Sequence, residues 1–199
     1  MGVAGNVGGV LFLGDVPVAY RPGTLDQWAA LSLAHPSATV ASAASFVVGL
    51  VALAGWAAGL GRHLGTPLAR AGASAVVAGA LMNAAGCVTP IVLVSHLAPG
   101  CEGACGPAAR ALLGVTLSLD ALFNLLLGVG LLGIGATLWR QGSRILGGLG
   151  LVAGLASVPV AGQPFSAEAA KLLAVAGPIW LTFVLAASWR LWTGGARRP

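Results

Sequence analysis

The chain has 199 residues, 57% of them hydrophobic and only 8% charged, with a mean hydropathy of +0.92. An ordinary soluble domain carries roughly 25% charged residues, so a water-soluble globule is excluded and an all-α, polytopic membrane bundle is expected. The net charge of +5 and pI near 10.1 would suggest nucleic acid in a soluble chain, but the basic residues stand at the ends of apolar runs rather than on one face, which argues against nucleic acid and for the lipid bilayer as partner.

Residues 1–20 are apolar but Gly-rich, with Asn6, Asp15 and Pro17 among them. They are barely long enough to cross about 30 Å of hydrocarbon and are assigned as a first span. Met1 to Leu13 lacks a basic start and Asp15 interrupts the apolar run, so no secretory signal is expected and the spans themselves drive insertion. Residues 21–36, with Pro22, Gly23, Asp26 and Trp28, suit a loop entering a short interfacial helix anchored by the indole.

A second span over residues 37–60 is uncharged and carries Gly55 and Gly59 four apart, a possible close-contact face for a second copy. With 31 Gly in the chain, such pairs also arise without a role. Residues 61–70 form a basic loop, and residues 71–97 a third span holding Asn83, Cys87, Thr89, Pro90 and His96, with a kink expected at Pro90. A polar loop over 98–110 leads to the fourth span, 111–138, and a short basic turn over 139–144 to the fifth, 145–162, which repeats the Gly spacing at Gly150 and Gly154. After a polar loop, residues 172–192 form the sixth span, followed by a basic tail. The chain is thus a single six-span bundle without a soluble domain.

Alternate loops differ in charge. Arg62, Arg70, Arg140, Arg144, Arg190, Arg197 and Arg198 fall on one side, whereas the other has Arg21, Arg110 and Lys171, offset by Asp26, Glu102 and Glu168. The positive-inside rule makes the first side cytoplasmic, with both termini there, in a bacterial inner membrane.

Asp120 needs an explanation, because an ionised carboxylate at mid-span costs about 2.5–3.5 kcal/mol on insertion scales. Thr116, Asp120, Asn124 and Gly128 follow at four-residue intervals and form a drifting stripe on one helix face amid Leu, which turns that face inward. Asp120 lies roughly 15 Å along the helix from Arg110, and Asn83 sits at a similar depth on the antiparallel neighbour, so Asp120, Asn124 and Asn83 can meet. No basic residue is placed to neutralise Asp120, which is therefore expected as the neutral acid. Two roles fit this group: a buried polar clasp that fixes helix register, or a ligand or proton site.

Cys101 and Cys105 bracket Glu-Gly-Ala in a loop on the oxidising side; one helical turn would put their Cα atoms within disulfide range, and free thiols or a metal site are the alternatives. Cys87 is expected to act as a small hydrophobe. His35 and His96 are the only His pair at matched depth, and interfacial placement explains them more simply than haem ligation. Spacings for zinc ligation, a Ser-His-Asp triad or a phosphate loop do not occur, so no cofactor, metal or catalytic residue is assigned.

The run LSLDALFNLLLGVGLLGIGATLWRQGSRILGGLGLVAGL, followed after a gap by IWLTFVLAASWRLWTGG, resembles the uncharacterised bacterial six-span integral membrane family known as domain of unknown function 4386. The resemblance rests on the Leu-rich span, on the turn made by Arg140, Gly142, Arg144, Leu146 and Gly147, and on a last span with Trp near its ends. It covers roughly the C-terminal 80 residues, and the rest only by order of spans. It implies six helices and no established activity. The expected function is that of a non-enzymatic membrane protein, a small-molecule- or lipid-binding or accessory subunit; the alternative is a transporter-like or redox component using Asp120 or the Cys101/Cys105 loop.

Overall fold

The computed structural model describes residues 22–97, 106–163 and 165–195, and over these it is helical with no strand. Helix α1 is Pro22–Ala34, α2 Pro36–Leu64, α3 Pro67–Gly86 and α4 the short Val88–Val92, which runs into a π-helical turn, Leu93–Leu97. Helix α5 is Gly106–Arg140, α6 Arg144–Ser157 with a 3-10 extension over Val158–Gly162, and α7 Ala167–Gly195. Five segments are long and apolar enough to cross a membrane: Pro36–Leu64, Pro67–His96, Gly106–Arg140, Arg144–Gly162 and Leu172–Leu191. The expected first span, residues 1–20, lies outside the described residues.

Helix ends follow from local chemistry. Gly65 takes a left-handed φ of +72° that closes α2 by returning its N–H to Gly61 O, Thr66 Oγ1 then accepts from Ala69 N at 3.2 Å, and Pro67 opens α3 where its missing N–H costs nothing. The expected ten-residue loop thus shrinks to Gly65 and Thr66, with Arg62 and Arg70 carried on the helices. Pro90 cannot donate to Gly86 O, so the α3 ladder breaks at Cys87 and the orphaned carbonyl is taken by Thr89 Oγ1 at 2.9 Å and Thr116 Oγ1 at 3.2 Å. Pro159 ends α6 in the same way. The 3-10 continuation rises faster per residue, so α6 and its extension together reach about 31 Å, enough to cross the hydrocarbon core.

Helix α5 is the hub: 56% of its most apolar stretch is buried, against 17% for α7 at the periphery. Helix α3 packs on one side of α5 and α6 on the other, with α2 outside α3 and α7 outside α6. Two glycine seams make these contacts possible. A Cβ on Gly72 would stand 2.6 Å from Gly130 O, and one on Gly135 would stand 2.7 Å from Leu151 N, so both backbone approaches require Gly. Since lipid tails supply no hydrophobic drive between helices, such close van der Waals packing has to hold them together. The core between seams is Leu127, Leu131 and Ile134 of α5 with Val76 and Ala80 of α3, closed by Phe183 of α7, whose ring meets Trp56 of α2 edge-to-face at 6.1 Å.

The two turns that join α2 to α3 and α5 to α6 lie at one end of the bundle: Thr66 Oγ1 and Thr137 Oγ1 are 3.2 Å apart and Gln141 Nε2 donates to Leu64 O at 3.2 Å. Arg62, Arg70, Arg140 and Arg144 therefore share an end, and Arg190 of α7 joins them. At the opposite end α1 docks through buried Leu25 and Ala29 on Leu93, Leu113 and Leu117, and Arg110 holds Asp26 through two hydrogen bonds of 2.6 and 2.8 Å.

Candidate functional site

Asp120 gathers three side-chain amides from three parts of the chain. Asn83 Nδ2 on α3 donates to Oδ1 at 2.8 Å, Asn124 Nδ2 one turn along α5 donates to Oδ2 at 3.3 Å and to the Asp120 backbone carbonyl at 2.9 Å, and Gln163 Nε2, just past the 3-10 extension of α6, donates to Oδ2. Asn83, Asn124 and Gln163 are buried and Asp120 half-buried. Both carboxyl oxygens are thus hydrogen-bonded, by neutral dipoles rather than by a cation, and one side chain ties α3, α5 and the end of α6 together.

Sequence spacing placed Asn83 and Asn124 beside Asp120 and missed Gln163, which fell at the start of a polar loop. The missed residue is 43 positions from its partner, and the 3-10 stretch that lifts it to the depth of Asp120 has no local periodicity pointing there. The only signal was a Gln directly after an apolar run. Its Oε1 is buried with no hydrogen-bond partner among the described residues.

Cys87 is a free, half-buried thiol one turn beyond Asn83, while Cys101 and Cys105 lie outside the described residues. His35 sits exposed between α1 and α2, and His96 exposed in the π-helical turn. Among the described residues no three His, Cys, Asp or Glu side chains gather as a metal would need.

A second polar place lies at the arginine-rich end. A cleft of about 510 Å³ opens between the start of α6 and the end of α7, lined by Ser143, Arg144, Leu146, Leu149, Ala186 and Arg190.

No family model matches this chain, and no curated protein or solved structure is significantly similar to it. Function is therefore argued from side-chain geometry. The Asp120 cluster can act as a clasp, or exchange a proton at a carboxyl oxygen; its amides can donate hydrogen bonds but supply neither nucleophile nor general base.

Proposed function

We propose that this is a non-enzymatic integral protein of a bacterial inner membrane, a lipid- or small-molecule-binding or accessory subunit, in which Asp120 is a structural clasp. The observation that carries this reading is that both Asp120 carboxyl oxygens accept hydrogen bonds from amides on separate elements, so the side chain is engaged in holding helices rather than left open toward a substrate. The arginine-rich end supports a cytoplasmic placement of that end and of the end of α7; the N-terminus is placed there too on the count of spans read from the sequence. Gly55 and Gly59, whose added Cβ atoms would meet nothing within 4 Å, leave a small-residue face on α2 free for a second copy.

The test is what co-purifies. Detergent-extracted protein carrying a defined lipid or small molecule in native mass spectrometry supports a binding role; protein that carries none, and is recovered with a fixed partner chain, supports an accessory subunit. A visible chromophore would sink the non-redox reading.

One observation favours the runner-up, a transporter-like component using Asp120: the partnerless Gln163 Oε1 is a buried acceptor on the residue that also donates to the carboxylate. Proton- or cation-driven uptake into vesicles that is lost in Asp120→Asn while the fold survives would establish that reading in place of the clasp.

A further inference from the structure

The cleft at the arginine-rich end combines features that the clasp does not use. Arg144 and Arg190 approach it from different helices, and both are exposed. Neither has an acidic partner among the described residues: Asp26 is taken by Arg110, Asp120 lies within the span, and Glu168 stands at the far end of α7, about 33 Å from Arg190 along the helix. Two arginines with no counter-ion among the described residues line one cleft.

Between them lies the start of α6. Its first amides have no intrahelical acceptor, since the first internal bond is Gly147 N–H to Ser143 O at 2.7 Å, and the partial positive charge of the helix end is added to that of the arginines. Ser143 holds the N-cap position and is 8% exposed, yet its hydroxyl makes no capping bond and has no partner among the described residues. An unpartnered hydroxyl on a largely buried serine, the amides of a helix start and two arginines line one space, which is the donor set of an anion site.

The remaining wall is apolar. Leu146, Leu149 and Ala186 line the cleft, and Ile145 beside Arg144 is 92% exposed. Trp139 and Trp189, 49% and 64% exposed at this same end, mark the depth of a membrane interface, and the Trp139 ring lies against Gly148 of α6. An anion that brings its own hydrocarbon fits both halves of this surface, whereas a free anion would leave the apolar wall in water.

We infer that this cleft is a binding site for the phosphate of an anionic phospholipid, with Arg144, Arg190, Ser143 and the α6 amides on the phosphate and the Leu146–Leu149 wall along the glycerol and upper acyl chain. Basic pockets between spans on the cytoplasmic side hold anionic headgroups in this way. The inference rests on the reading of the chain as membrane-spanning with this turn at an interface. It is independent of the role of Asp120.

The full chain in detergent is titrated with phosphatidylglycerol and with phosphatidylcholine, and bound lipid is counted by native mass spectrometry. Phosphatidylglycerol is expected to be retained in preference to phosphatidylcholine. Each basic side chain near an anionic headgroup contributes about a fivefold factor, so Arg144→Gln with Arg190→Gln should weaken retention about 25-fold. Arg62→Gln with Arg70→Gln removes the same charge at the same end and should change it less than about twofold, and Arg144→Lys with Arg190→Lys should keep most of it. If the paired Gln variant does not fold, Arg190→Gln alone, at an exposed site, should show the fivefold loss. Equal weakening by both Gln pairs, equal retention of the two lipids, or displacement of phosphatidylglycerol by inorganic phosphate at matching concentration would overturn the site. A reporter fused at Gly142 that is inactive in the cytoplasm would instead overturn the topology on which it rests.

Discussion

Asn83 Nδ2 and Asp120 Oδ1 lie 2.8 Å apart, joining α3 to α5 at the one acidic side chain described within a span. Around that contact the bundle is symmetrical in a useful sense: α3 and α6 flank α5, and each sends one amide, from Asn83 and from Gln163, to the same carboxyl group. The hydrogen bonds of this carboxyl group therefore bridge both glycine seams.

Asp120→Asn should cost under about 1 kcal/mol, because the shape is kept and the Gln163 amide, whose Oε1 is unpartnered, can turn to accept from the new N–H. Asp120→Leu strands three buried amides and should cost on the order of 1–3 kcal/mol. Thermal unfolding in detergent measures both; equal losses would mean the hydrogen bonds do not hold the helices.

Gln163→Leu removes one donor and a partnerless acceptor together, so its net cost should be below about 1 kcal/mol. It should also leave the contact between Asn83 and Asp120 in place, which a cysteine cross-link between α3 and α5 would report. Loss of that cross-link would show the three amides to be a single cooperative unit.

Alanine at two kinds of glycine should behave in opposite ways. Gly72→Ala and Gly135→Ala push a methyl to within 2.6 and 2.7 Å of backbone and should each cost about 1–3 kcal/mol, whereas Gly55→Ala meets nothing and should stay within about 0.5 kcal/mol. If α2 pairs with a second copy, Gly55→Leu with Gly59→Leu will shift the oligomeric state while monomer stability is unchanged. A large stability loss at Gly55 would place that face inside the protein.

Helix α1 is held by apolar contact more than by charge. Leu25 is 5% exposed against Leu93 and Leu113, so Leu25→Ala should destabilise the docking of α1 by about 2–3 kcal/mol and open it to protease without melting the spans. The Asp26–Arg110 pair is about half exposed, so Arg110→Gln should have a much smaller effect that fades further with salt. Greater protease sensitivity in Arg110→Gln than in Leu25→Ala would reverse this ranking.

Reporter fusions test sidedness. Those after Gly65 and Gly142 should be active only in the cytoplasm, and one after Ser166 only outside, since the arginines gather at the end that holds the first two turns. A cytoplasmic signal from the third would break the alternation.

Much of this protein was legible in its sequence because the relevant physics is local. Twenty apolar residues in a row have few alternatives to a helix in lipid, and the depth of Asn83 and Asp120 follows from counting residues at 1.5 Å each, which was enough to pair them. Proline chemistry likewise led to the kink expected at Pro90, three residues beyond the point where the α3 ladder breaks at Cys87. Tertiary structure alone decided which polar and small residues find partners. Gly55 with Gly59 and Gly150 with Gly154 have the same spacing, yet the first pair meets nothing within 4 Å while Gly150 lies on Gly135 and Gly154 on the Gly128 carbonyl. Spacing fixes the face of a helix but not what packs on it. Gln163 reaches Asp120, and Ser143 comes to share a cleft with Arg190, only after separate helices have packed, and that packing depends on side-chain shape summed over whole interfaces rather than on any short stretch of chain.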